Sequence, residues 1–287
     1  MRIVLVFFLF LPFAGWTQKS DKKLEAQIEN VISGFNGNIG VYVKNLRTGK
    51  TVMINADTVF PTASIVKVSI LLGVMDKMEK GELIYDQPLI YKDSLLYAGV
   101  DILGSFKNEE KILLANVIML MMTMSDNTAS LWLQSLAGTG TRINEILDSL
   151  GFRNTRVNSR TPGRRPDWVR YGWGQTTPGE MGKLFEMIYR KQILSTAACE
   201  RMMRCMSRNF WDRTGALSQI PPTVQVFSKG GSIDSVRCEA LLVNASRNPY
   251  IFCVFTSNNK DTGWTQSNEA WTLTRKLSEL IWKKYGD

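Results

Sequence analysis

The chain has 287 residues, 44% hydrophobic and 21% charged, with a formal net charge of +9, four cysteines and no histidine. That length and balance exclude a disordered or fibrous chain and leave apolar material for one large domain or two small ones. The absence of histidine removes the usual imidazole base from any catalytic reading and, with no Cys-x-x-Cys pair, argues against a metal site.

The basic residues are scattered, apart from a small group at Arg160, Arg164, Arg165 and Arg170. Such dispersion suits a solvated surface or contact with anionic wall material better than a nucleic-acid partner, and none is expected. At the N-terminus, Arg2, the apolar run Ile3 to Phe13 and small residues at Gly15-Trp16-Thr17 predict a secretory signal peptide over 1–17. The mature chain then starts near Gln18 and is secreted or periplasmic, with an uncleaved anchor as the alternative. Ile112 to Met124 is too short to span a bilayer, so no stable membrane anchor is expected beyond the leader.

Asp21 to Phe35 carries Leu24, Ile28, Val31 and Ile32 at helical spacing and predicts an amphipathic helix. Asn38 to Leu46 and Thr51 to Ile54 flank Arg47-Thr48-Gly49-Lys50, a hairpin signature. Ser64 to Lys80 predicts a helix with Thr62 as N-cap, closed by Gly81. Residues from about Leu83 to Asn108 are irregular, and Glu109 to Met124 is a strongly apolar helix whose methionines belong in the core. Ser125-Asp126-Asn127 starts a helix through Ala137, and another runs from Thr141 to Leu150. Arg153 to Gln175 has no periodicity, and a loop of that length inside a compact domain points to function. Helices follow from Thr176-Thr177-Pro178 to Arg190 and from Thr196 to Ser207.

Near the end the period switches to strands at Thr223 to Ser228, Cys238 to Val243 and Tyr250 to Ser257, before a closing helix from Glu269 to Tyr285. Strands at both ends with helices between predict an α/β (α+β) fold. Its α/β domain is formed by 18–60 and 208–287, an antiparallel five-stranded sheet flanked by helices, with an inserted all-helical domain at 61–207. The active site falls at their interface. Cys238 and Cys253 lie on successive strands, where a bridge is one alternative, although a chain this large does not need it.

Ser64-Ile65-Val66-Lys67 places a hydroxyl and an amine three residues apart on one helix face. A lysine whose pKa is depressed by burial or a second cation could replace the absent imidazole as base. The spacing alone is weak, since Ser20-Asp21-Lys22-Lys23 shares it. Two further clusters, Ser125-Asp126-Asn127 and Lys229-Gly230-Gly231, complete an ordered set. With Phe60-Pro61 before the serine, Thr123 to Ala129, and Thr176-Thr177-Pro178 after the long loop, the chain resembles the penicillin-recognising serine enzymes, most closely the class A β-lactamase family. The resemblance spans nearly the whole mature chain.

It implies a serine hydrolase that forms an acyl-enzyme with β-lactams, without cofactor and as a monomer. Ser64 is then the nucleophile, Lys67 its proton partner, and Ser125 the relay to the leaving nitrogen. Asn127 binds the substrate's amide side chain, and the backbone N–H groups of Ser64 and Ser232 form the oxyanion hole. Lys229, on an edge strand with Gly230, Gly231 and Ser232, binds substrate carboxylate with support from Arg237. Asp126 is structural.

The chain departs from the family pattern twice. Gly230 stands where the family carries a hydroxyl that contacts the substrate carboxylate. Thr161, before Pro162, stands where class A enzymes carry the deacylating glutamate, leaving Asp167 as the alternative carboxylate. Acylation with slow deacylation is therefore one expectation. The alternative is a D-alanyl-D-alanine carboxypeptidase or transpeptidase acting on cell-wall peptides; a non-enzymatic penicillin-binding module is a third reading.

Overall fold

The structure, a computed structural model, describes residues 19–286; the expected signal peptide lies outside them. Five strands form one antiparallel sheet: β1 (Asn38–Asn45), β2 (Thr51–Ile54), β3 (Val226–Ile233), β4 (Val236–Val243) and β5 (Tyr250–Ser257), in the order β2-β1-β5-β4-β3. The N-terminal hairpin and the C-terminal meander meet where Tyr42 pairs with Cys253. β3 has a single neighbour in this sheet and is its edge.

The sheet is covered on both faces, so β4 and β5 are buried at every position and read as nearly unbroken apolar runs. Val41, Val43, Leu241, Phe252 and Val254 pack on one side against α1 (Lys22–Ile32) and α9 (Glu269–Tyr285). Leu273, Leu277 and Ile281 recur every fourth residue along α9 and are buried there, each worth about 1.5–3 kcal/mol of burial. The Tyr285 hydroxyl donates to the Asp21 carboxylate at 3.0 Å, tying the two helices at the chain ends. Tyr42, Leu242, Ile251 and Cys253 point the other way, into a second core shared with the helices.

That second layer is built on α2 (Val66–Glu79), buried on every side from Val66 to Met75, as expected of a central helix. Around it stand α3 (Leu114–Met119), α4 (Asn127–Leu136), α5 (Thr139–Ser149), α6 (Arg165–Tyr171), α7 (Pro178–Tyr189) and α8 (Thr196–Met206). α7 lies directly on the sheet: a Cβ at Gly182 would meet the Tyr42 ring at 2.4 Å. Among the described residues, no helix is long and apolar enough to cross a membrane.

Several details differ from the sequence expectations. The helix expected from Glu109 begins only at Leu114, because Lys111–Leu113 pairs as a short strand with Pro88–Ile90. β3 runs past Ser228, where the strand period ends, through Lys229, which the resemblance placed on an edge strand, and through Gly230 and Gly231 to Ile233, because pairing with β4 continues along it. The loop at 153–175 contains α6 and two short strands, Arg156–Val157 and Gly174–Thr176. Thr62 does not cap: its hydroxyl has no partner and is buried. All four cysteines are free and buried. Cys253 pairs with Ala240 and Cys238 with Phe255, so the two residues are diagonal rather than facing neighbours, a spacing of roughly 7–8 Å between such positions, and no bridge joins them.

Candidate active site

A 3₁₀ turn at Ala63–Ile65 feeds α2 and carries Ser64. Ala63 sits at φ 43°, a left-handed conformation that costs a side-chain-bearing residue about 1–3 kcal/mol and recurs at functional turns. Lys67 follows on the first turn of α2 and is fully buried. The third participant arrives by a similarly strained route. After α3, the chain closes a π-helical turn at Leu120–Met124, and Ser125 adopts φ 63° before α4 begins. Asp126 caps α4 by accepting from the Ala129 N–H at 2.7 Å. Its other oxygen accepts from the Ile102 and Leu103 N–H groups at 2.6 and 2.8 Å, holding the preceding loop.

The Lys67 amine lies 3.1 Å from Ser64 Oγ, 2.6 Å from the Ser125 carbonyl oxygen, 3.1 Å from Ser125 Oγ and 3.0 Å from Asn127 Oδ1. Two of these partners, the carbonyl and the amide oxygen, can only accept. They take two N–H bonds and leave the rest of the nitrogen facing two hydroxyls. Burial first, and the cation of Lys229 second, push the Lys67 pKa well below its ordinary value, against a smaller opposing pull from Asp126. In the neutral amine, the lone pair is then directed at Ser64 Oγ or Ser125 Oγ.

Lys229 enters from β3. Its amine donates to Ser125 Oγ and to the Gly230 carbonyl, both at 3.0 Å. Ser125 Oγ therefore lies between two lysine nitrogens. Burial lowers the Lys229 pKa to about 7, although the Glu239 carboxylate acts in the other direction. Gly231 permits this edge strand to approach the nucleophile: an added Cβ would lie 2.6 Å from the Thr62 carbonyl oxygen and 2.8 Å from Ser64 N. Only glycine fits that contact.

These groups open onto a cleft of about 690 Å³ bordered by Ser64, Ser125, Asn127, Lys229, Gly230, Gly231 and Ser232. Arg237 borders it too, but its guanidinium is occupied elsewhere. Its Nη atoms donate to the carbonyls of Ile233, Asp234, Val236, Thr262 and Gly263, and the group lies against the rings of both Trp264 and Trp271. Nε is its one buried donor without a partner.

The loop candidates are elsewhere. Thr161 donates to the Ser159 carbonyl at 2.9 Å and abuts α5, where a Cβ on Gly140 would lie 1.8 Å from its hydroxyl. Asp167 pairs with Arg164 at 3.2 Å on α6. Neither borders the cleft.

The sequence reading missed the aromatic walls and one acid. Tyr97 and Trp173, which meet edge to face at 5.1 Å, line the cleft, as do Trp211 and Trp264. Glu239 was legible as the single charge in the run Cys238 to Val243, yet nothing in that run says it reaches the cleft.

The model of the β-lactamase enzyme family matches residues 23–285. The chain belongs to that family. Among β-lactamases it is similar to VEB-1 of Pseudomonas aeruginosa, 24% identical over 99% of this chain and 97% of that one. The fold is also that of solved relatives. A mutant of PBP-A, as its acyl-enzyme complex with penicillin G, superposes with TM-score 0.82 at 22% identity, covering 93% of this chain and 98% of that one. An ancestral class A β-lactamase superposes with TM-score 0.79 at 19% identity, covering 91% and 100%. These likenesses establish the β-lactamase fold for this chain.

Proposed function

We propose that the protein is an exported, monomeric serine hydrolase that is acylated by β-lactams, with Ser64 as nucleophile and Lys67 as its base. The observation that carries this reading is the fully buried Lys67 amine, 3.1 Å from Ser64 Oγ, with both acceptor-only partners already supplied. As Ser64 Oγ attacks the lactam carbonyl, its proton passes to Lys67. Ser125, in reach of Lys67 and Lys229, returns a proton to the leaving nitrogen, and the C–N bond breaks to give a serine ester. The Ser64 and Ser232 N–H groups serve the developing oxyanion; removal of one such donor costs roughly 10²–10³ in rate. Asn127 and Lys229 orient the substrate, and no cofactor enters these steps.

Hydrolysis of the ester needs a base for water. Among the described residues, no carboxylate of the 153–175 loop borders the cleft, and a threonine hydroxyl is not a base near neutral pH. This favours slow deacylation, and with it the second reading: a D-alanyl-D-alanine carboxypeptidase or transpeptidase working on cell-wall peptides.

Intact-protein mass spectrometry over time, after mixing with a penicillin, tests both. A covalent adduct that persists for hours supports slow deacylation; one that clears over many turnovers supports an efficient β-lactamase. Ser64→Ala should abolish the adduct, and labelling that survives it would show that Ser64 is not the nucleophile.

A further inference from the structure

On the acyl-transfer reading above, the end of the cleft beyond Lys229 receives whatever the substrate carries next to its scissile bond. Three features there act against a carboxylate. Gly230 offers no hydroxyl, and the space beside it is open: an added Cβ would meet nothing nearer than the Cys238 carbonyl oxygen at 3.9 Å. The Arg237 guanidinium is committed to five backbone carbonyls. Directly opposite Gly230 in the β3–β4 register stands Glu239, the only carboxylate among the described residues that border the cleft.

Glu239 is held in place. Its oxygens accept from the Ala216 N–H at 2.6 Å and the Leu217 N–H at 3.2 Å, and the side chain packs where a Cβ on Gly215 would lie 2.0 Å from Oε2. An ionised carboxylate has about four acceptor positions, so these two bonds leave others for a ligand. Burial raises the Glu239 pKa, while the Ala216 and Leu217 N–H groups and the Lys229 cation favour its charged form; as an anion it disfavours a second anion beside it and favours an N–H donor.

We propose that Glu239, facing Gly230, makes this cleft selective for acyl donors that carry an N–H donor, a carboxamide or amine, where a carboxylate would otherwise sit. The wall peptides that fit are then those that are amidated, or that continue through a further peptide bond, rather than those ending in a free carboxylate at that position. Glu239 acts here as a specificity residue and takes no part in bond making.

The test uses two thioester acyl donors with the same acyl group, one releasing mercaptoacetamide and the other mercaptoacetate, with the freed thiol read by a chromogenic reagent. The wild-type protein should turn over the carboxamide donor about tenfold faster in kcat/KM, a difference of about 1.4 kcal/mol. Glu239→Gln keeps one acceptor oxygen for Ala216 and should shift the carboxylate-to-carboxamide ratio about tenfold toward the carboxylate. Gly230→Ser, for which the structure has room, should shift the same ratio in the same direction and serves if Glu239→Gln does not fold. A wild-type preference for the carboxylate donor, or variants that change both rates by one common factor, would overturn the proposal. A penicillin adduct on Ser64 without turnover of the carboxamide donor would overturn it alone. Release from neither donor, together with no penicillin adduct, would overturn the acyl-transfer reading and this inference with it.

Discussion

The cluster of Ser64, Lys67, Ser125 and Lys229 and the loop at 153–175 both bury polar side chains, but they satisfy them in opposite ways. In the loop, donors and acceptors close on one another. Arg164 donates to Asn158 Oδ1 from Nε and Nη2 at 3.0 and 2.9 Å, and to Gln175 Oε1 at 3.0 Å. Ser159 and Gln134 exchange bonds of 2.8 and 2.5 Å, and Glu180 takes the N–H groups of Arg153, Asn154 and Thr155. A network closed in that way is rigid and unreactive. In the cluster, two amines meet two hydroxyls with their acceptor-only partners already filled, so the remaining contacts are ones through which a proton can move either way. The difference teaches that burial alone does not make a site; a site needs a group whose preferred protonation state has been shifted and whose partner can exchange a proton with it.

The sharpest way to break this comparison is Lys67→Ala. If the amine is the base, acylation by a penicillin should fall by about 10²–10⁴, the usual worth of a positioned general base, while the far-ultraviolet spectrum stays that of a folded chain. Stopped-flow acylation rates within a factor of three of wild type would rule Lys67 out. The pH dependence has a defined sign. Because its pKa lies well below the ordinary lysine value, the neutral base form appears as pH rises through the folded value, so acylation should rise with pH on its acid limb.

The next effect concerns the cost of the cluster. The Lys229 pKa is lowered from 10.5 to about 7 in the folded chain. The unfolded chain therefore holds one more proton than the native one between those values. Stability lost to this group is lost in full below about pH 7 and is recovered as pH rises toward 10.5, at about 1.4 kcal/mol per unit at most. Lys229→Met should accordingly raise the unfolding free energy by about 1–4 kcal/mol near pH 6, as removal of buried charge often does, and lose that advantage toward pH 10.5. Denaturant melts at the two pH values would show it. A variant destabilised at pH 6 would mean that the bonds from Lys229 to Ser125 and Gly230 outweigh its desolvation.

How much of this was legible beforehand follows from the range of the interactions. Helices α4, α7, α8 and α9 announce themselves through Asp126, Thr177, Ser195 and Asn268, each accepting from an N–H three residues on, a contact written within four residues of sequence. The serine and lysine clusters were legible because their spacing is ordered along the chain. Glu239 and the aromatic walls were not, nor was the engagement of Arg237 with backbone carbonyls, although the resemblance pointed to that residue, because their surroundings come from segments far apart in sequence: Gly215 and Ala216 against Glu239, Thr262 and Gly263 against Arg237, Trp173 against Tyr97. The residue pattern ended strand β3 at Ser228 for the same reason, and only the resemblance carried it on to Lys229, since its extension to Ile233 depends on pairing with β4.

The smallest expected effects lie in the loop, and they test the other half of the comparison. Asp167 shares an ion pair with Arg164 on a part-exposed helix, a contact worth about 0–1 kcal/mol, and does not border the cleft. Asp167→Asn should therefore change the lifetime of a penicillin adduct by less than about twofold, where loss of a true general base would lengthen it by about 10²–10⁴. Thr161→Glu should not shorten that lifetime either, because the side chain at 161 faces Gly140 on α5 rather than Ser64. It should instead lower stability, since the larger acid must displace the contact with α5. If Asp167→Asn lengthened the adduct a hundredfold, or if Thr161→Glu cleared it within minutes, the loop would have to place a carboxylate over Ser64 during turnover, and its closed network of Arg164, Asn158 and Gln175 would have to open to do so.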